Sequence, residues 1–179
     1  SSCTFGKLDA RNLPMFDVEY IFLKIRAKSV GEVIDLSVIC PDDGVTSVVK
    51  RVNIGEIDLQ INENHSNKID ITDNIKLYLN YPILSDISII NDEDDTDTTF
   101  KMICRCFKEL HSGDEVYHRV DIKDSDINEF LDQLNTEQFM GVTNFFETMP
   151  KLRHTIEVTN PKTNVTSEVL LEGLQSFLG

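Results

Sequence analysis

Three residues in the middle of the chain, His111, Asp114 and His118, are of the types that bind a metal ion or move protons. Imidazole nitrogens and carboxylate oxygens are common metal ligands, and histidine changes its charge near neutral pH. A glycine interrupts the stretch, so no helix holds the two histidines on one face. The other two histidines, His65 and His154, lie far away in the sequence. We favour surface histidines, and a small hydrolase or metal-dependent enzyme stays as an alternative.

The four cysteines, Cys3, Cys40, Cys104 and Cys106, form no CxxC pair and no repeated framework. Cys104 and Cys106 fall on a predicted helix, where their spacing turns the two side chains about 200° apart. Such a pair does not easily share one metal ion. We therefore predict reduced, structural thiols that are buried or half-buried, and no metal ligand.

An acidic run at 92–97 suggests a calcium site, because carboxylates cluster there. An EF-hand loop needs glycine at its sixth position and an acid at its twelfth, and neither follows Asp92 or Asp94. A solvated charge run is the favoured interpretation. GxSxG, Walker, HExxH and GxGxxG patterns are also missing, so the sequence predicts no catalytic residue and no cofactor.

The first half of the chain predicts one helix followed by strands. Apolar residues recur at helical spacing in 16–29, and Gly31 can take the left-handed conformation that ends a helix. From residue 32 the apolar period changes to two, with turn residues between the alternating stretches. We predict a small, mainly antiparallel sheet over about 32–81.

The second half predicts mostly helices. Apolar spacing indicates helices at 100–110, at 127–134 behind Asp124, and from Thr136 to Thr148. A hairpin over 154–169 and a final helix over 170–178 follow. The predicted class is α+β, with a division into 1–90 and 91–179 or, alternatively, one compact domain.

Two apolar stripes on the predicted helices could bind another protein. Periodic apolar positions usually pack into a core, so a core is the ordinary interpretation and a binding face is the alternative. The candidate interface residues are Phe139, Phe145, Phe146 and Met149 in the first stripe, and Leu174, Phe177 and Leu178 in the second.

Composition narrows the classes of partner. Seventeen Lys and Arg against 31 Asp and Glu give a net charge of −14, which opposes binding to phosphate backbones and anionic membrane surfaces. No apolar run approaches the roughly 18 residues that a membrane-spanning helix needs. Other proteins are therefore the class of partner that the composition favours, and the two apolar stripes are also compatible with self-association.

One segment, FDVEYIFLKIRAKSVG at 16–31, resembles the helix-to-strand segment of baseplate hub proteins of T-even-type contractile-tailed bacteriophages. Weaker similarity to that family continues over most of the chain, at 69–82, 129–134, 138–139, 145–154 and 171–177. Some members carry further cysteines after the Cys-Pro that corresponds to Cys40-Pro41. Here 42–44 reads Asp-Asp-Gly instead, which argues against a finger-like metal site.

The resemblance implies a structural or assembly protein that helps to build the central hub of the baseplate. Its partners would be other hub, spike or tail proteins, and it would be found in the virion and, during assembly, in the host cytoplasm. An assembly chaperone that is absent from the finished virion is the alternative. The resemblance also leads us to expect a further N-terminal region ahead of Ser1, and it implies no catalytic residue.

Overall fold

The structure is a computed structural model that describes residues 9–86 and 95–178, without the side chains of 95–97. Its described residues form four α-helices: α1 (Met15–Val30), α2 (Asp95–Cys106), α3 (Asp124–Asp132) and α4 (Thr136–Thr148). They also form nine strands: β1 (Val33–Ile39), β2 (Ser47–Asn53), β3 (Leu59–Gln60), β4 (Lys68–Asp70), β5 (Ile75–Leu79), β6 (Phe107–Ser112), β7 (Glu115–His118), β8 (Lys151–Thr159) and β9 (Thr166–Glu172). The predicted α+β class is confirmed. None of the described helices is long and apolar enough to cross a membrane.

The strands pair into three antiparallel sheets, ordered β1-β2, β3-β8-β9 and β4-β5-β6-β7. The strands of residues 32–81 therefore do not make one sheet, because only β1 and β2 form a sheet without later strands. Instead, β3 pairs with β8 near the end of the chain, with Leu59 opposite Leu152. β5 pairs with β6, with Leu77 opposite Leu110.

The chain groups into two compact units, each built from two separated stretches. Unit 1 comprises the described residues of Ser1–Met15 and Ile61–Met149, and unit 2 those of Phe16–Gln60 and Pro150–Gly179. This grouping differs from the expected division at residue 90. The physical reason is long-range strand pairing. The hairpin of β8 and β9 follows the helices in the sequence, but it joins the sheet of β3.

Unit 1 packs α2, α3 and α4 around one apolar core with its four-stranded sheet. Its large, fully buried side chains include Leu77, Leu79, Ile103, Ile127, Val142 and Phe145. α2 ends at Cys106, earlier than the predicted helix end at residue 110. Phe107 begins β6, and the carbonyl of Cys106 accepts a hydrogen bond from Asn80 N at 2.6 Å. Strand pairing therefore overrides the helical spacing of the apolar residues beyond Cys106.

Unit 2 has a separate core, to which α1 contributes the buried residues Leu23 and Ala27. α1 ends as predicted, because Gly31 has a φ of +133°. The predicted C-terminal helix over 170–178 is wrong at its start. Leu170 and Leu171 belong to β9, and only Leu174–Phe177 forms a short 3₁₀ turn. Seven residue pairs between β8 and β9 satisfy the backbone there before a helix can begin.

A buried amide joins two hairpin loops of unit 2. Asn160 is 0% exposed, and its Nδ2 donates to both carboxylate oxygens of Asp42 at 3.1 and 3.0 Å. The Thr163 hydroxyl donates to Asp42 Oδ2 at 2.5 Å, and together with Asn160 it lowers the pKa of Asp42. The residues that follow Cys40-Pro41 thus connect one loop to another, because a carboxylate that accepts three hydrogen bonds is stable in its charged form.

Candidate functional site

Unit 1 has an apolar groove with a volume of about 460 Å³ between α2 and α4. We call it the α2–α4 groove. Helix α2 contributes Thr98, Thr99 and Met102, α4 and its end contribute Thr143, Phe146, Glu147 and Met149, and Pro82 completes the lining. Concave, mostly apolar surfaces with a few polar groups are typical of binding sites in folded proteins.

Helix α4 is fixed at both ends by its own sequence. Asn135 Oδ1 accepts from Gln138 N, and Gln138 Oε1 accepts from Asn135 N, each at 2.9 Å. This reciprocal pair is a capping box, which satisfies backbone donors at a helix start. At the other end Met149 N donates to the Phe145 carbonyl at 3.0 Å, and Pro150 follows. The capped helix therefore presents its groove-lining side chains in a defined orientation.

Two adjacent phenylalanines on α4 lie in different places, one in the core and one in the lining of the groove. Phe145 is 1% exposed, and its ring stacks on Tyr81 with centroids 5.5 Å apart. Phe146 meets Phe145 edge to face at 5.0 Å and extends into the groove lining. The edge-to-face geometry is a favoured arrangement for aromatic pairs, so the buried ring positions the half-buried one.

The opposite wall comes from α2, where Met102 lies four residues after Thr98 and three after Thr99. Residues at that spacing share one helical face. Met102 also belongs to the core of unit 1, in which the next residues of α2, Ile103 and Cys104, are buried and anchor the helix. Thus α2 carries a core face and a groove face side by side.

The seven predicted interface residues occupy three kinds of position. Phe146 and Met149 line the α2–α4 groove, whereas Phe139 is half-buried and its ring lies 5.8 Å from that of Phe100. Phe145 in unit 1 and Phe177 in unit 2 are fully buried. Leu174 and Leu178 are half-buried, and Leu174 packs against the core of unit 2.

His111 and His118, the histidines of the alternative enzyme hypothesis, both lie close to an acid, but this acid is not the expected Asp114. Glu109, not Asp114, lies between them, with Oε1 at 3.2 Å from His111 Nε2 and Oε2 at 3.3 Å from His118 Nδ1. Within 9–86 and 95–178, leaving aside the side chains of 95–97, no cluster of three His, Cys, Asp or Glu residues is suited to hold a metal ion. The acidic run at 92–97 lies outside the side chains that the structure describes.

The predicted structural thiols are buried where the structure describes them. Cys40, Cys104 and Cys106 are free and at most 4% exposed. Burial raises the pKa of Cys106 to about 12, so this thiol stays protonated at neutral pH. Cys104 Sγ donates to Asn128 Oδ1 at 3.3 Å. Cys3 lies outside the described residues.

Comparison with protein-family models gives a match over the whole chain. The family model described as T4 bacteriophage base plate protein matches residues 1–179, the whole chain. The chain belongs to this family. No curated protein and no solved structure matches it.

Membership in the T4 base plate family gives the protein a structural or assembly role in the phage tail. It also places the protein among other tail and baseplate proteins, with which a subunit of such an assembly interacts. A structural family of this kind suggests a non-enzymatic protein. The apolar α2–α4 groove is in keeping with that role, since the cores of protein interfaces are apolar.

One histidine of this baseplate protein has a part that the sequence did not show. His65 was expected at the surface, but it is half-buried, stacks on Tyr81 and meets Phe145 at a tilt. Its Nδ1 lies 2.9 Å from Thr148 Oγ1, and its Nε2 lies 3.0 Å from the Tyr81 hydroxyl. Because Thr148 already donates to the Asn144 carbonyl at 2.7 Å, His65 Nδ1 must donate to Thr148. The neutral ring therefore ties the end of α4 to Tyr81.

We expect the baseplate protein to lose stability in mild acid through His65. Burial lowers the pKa of His65 below the ordinary 6.5, so the unfolded chain binds the proton first as pH falls. Above pH 6.5, the titration of His65 should not make the free energy of unfolding depend on pH. As pH falls from 6.5 to the lowered pKa, the free energy of unfolding should decrease. Urea unfolding of wild type and His65→Gln at several pH values measures how much His65 contributes to the pH dependence of the free energy of unfolding. Equal pH dependence in the two proteins would contradict it.

Proposed function

We propose that this protein helps to build the central hub of the phage baseplate through protein–protein contacts and remains in the finished virion. The observation that carries the proposal is the family match over all 179 residues. Hub, spike or tail proteins would be its partners, with assembly in the host cytoplasm. The hub position itself rests on the resemblance of the 16–31 segment and the later segments.

The surface chemistry supports binding to protein and not to nucleic acid. A net charge of −14 repels phosphate, and the apolar lining of the α2–α4 groove offers a surface that another protein can cover. Self-association through a surface other than this groove is compatible with the same role. A transient assembly chaperone would need the same contacts, so only its presence in the particle separates the two roles.

Quantitative mass spectrometry of purified phage particles tests the proposal. We expect peptides from this chain in a fixed ratio to peptides of other baseplate components, because a structural subunit stays in the particle. Abundant peptides in infected cells together with none in particles would identify a transient assembly chaperone instead. Normal yields of infectious particles from phage lacking the gene would contradict both roles.

A further inference from the structure

We propose that the α2–α4 groove holds a segment of a different protein that presents apolar side chains beside a lysine or arginine. This inference rests on the proposed assembly role and specifies the chemistry of the partner. The occupant is neither a second copy of this chain nor a small polar ligand. Three properties of the described residues lead to it: the lining, its single charge and the charge of the whole chain.

The apolar lining fits side chains of a polypeptide. The lining includes the apolar residues Met102, Phe146, Met149 and Pro82, and the remaining neutral residues are threonines. Methionine is unbranched and adapts its shape, so the half-buried Met149 allows the groove to fit apolar side chains closely. A volume of about 460 Å³ lies within the usual range for binding pockets and has room for a few side chains.

Glu147 is the one charged group among the described residues that line the groove, and it selects for a cation. Glu147 is exposed, and no described lysine, arginine or histidine forms an ion pair with it. A lysine or arginine beside the apolar side chains of the occupant could pair with this carboxylate. An acid at the same place would be repelled, so the groove discriminates between segments of equal hydrophobicity.

The charge of the whole chain argues against a second copy as the occupant. Two copies with a net charge of −14 each would repel one another. A basic segment of another protein is attracted by the same field. Charge complementarity therefore favours a heterologous partner with a positive charge.

Selection from a library of random linear peptides tests the proposal on the purified full-length chain. We expect enriched peptides to combine apolar residues with a nearby Lys or Arg. Thr143→Arg, which fills the groove and adds a positive charge, should weaken their binding more than about tenfold. Glu147→Gln should weaken it about two- to fivefold at low salt, as for an exposed ion pair. Fluorescence anisotropy of labelled peptides gives the dissociation constants.

Glu137→Gln is the matched control, since it removes the same charge from α4. Glu137 lies nine residues before Phe146, two and a half turns away, and therefore on the opposite face of the helix. It should leave affinity unchanged. Enrichment of acidic or uncharged peptides, equal binding by Glu147→Gln and wild type, or no peptide sensitive to Thr143→Arg would overturn the proposal. So would a dimer in sedimentation velocity that Thr143→Arg dissociates.

The outcome is independent of the test of the proposed function. Peptide selection uses only the purified chain, so a charge-selective groove would stand even if virions lack the protein. Conversely, detection in virions would support the hub role even if the groove proves indifferent to charge.

Discussion

Phe177→Asp should prevent unit 2 from folding, and should not simply weaken partner binding. Phe177 is 0% exposed and belongs to the core cluster that includes Leu23, Ile54 and Leu152. Removing a buried phenylalanine costs about 3–5 kcal/mol. An unpaired carboxylate in its place adds a penalty of several kcal/mol more. The sum is comparable with the whole stability of a typical domain, about 5–15 kcal/mol.

Hydrogen exchange resolved along the chain measures this effect. Amides of β8 and β9 should lose protection in Phe177→Asp, because those strands build the core of unit 2. Gln175→Asp is the matched control, since Gln175 is exposed in the same 3₁₀ turn and the change should cost less than about 0.5 kcal/mol. Retained protection of β8 and β9 in Phe177→Asp would show that the site tolerates charge.

Elements with strong local signals were predictable from the sequence. The helices at 16–29 and 136–148 lie within a residue of α1 and α4, since each combines apolar periodicity with a clear stop, Gly31 in one case and Pro150 in the other. Turn residues likewise marked the hairpin of β1 and β2. Local propensity and spacing are sufficient where tertiary contacts agree with them.

The elements that depend on distant partners were not predictable in this way. The stretch 170–178 has apolar residues at helical spacing, yet Leu170 pairs with Thr155 in the β8–β9 ladder. Similarly, the two residues of β3 join a sheet about 90 residues further along the chain. No pattern within a short window carries information about such pairing, because it arises from long-range contacts.

The candidate site was half predictable for the same reason. Phe146 and Met149 were identified from the stripe on α4, but the facing wall on α2 and the contribution of Pro82 come from tertiary packing. The stripe also could not separate Phe145, which is buried, from Phe146, which lines the groove. The apolar stripe is wide enough to include both residues, and only the packing of α4 on the sheet decides which of them faces inward.

Alanine at these two neighbouring positions should therefore have different effects. Phe145→Ala removes a ring that is 1% exposed and contacts both His65 and Tyr81, so we expect a loss of about 3–5 kcal/mol in the free energy of unfolding. Phe146→Ala removes a half-buried ring and should cost about 1–2 kcal/mol, within the common range for single substitutions. Urea unfolding of both variants beside wild type gives the two values.

The difference between the two costs bears on the groove itself. If Phe146 mainly completes the core, its loss should cost as much as the loss of Phe145, and the groove would be an incidental hollow between helices. If it mainly lines a binding surface, Phe146→Ala should fold and still lose affinity for the selected peptides. In that case the half-buried ring of Phe146 adds little stability and is available for contact with a partner, as expected for an assembly protein.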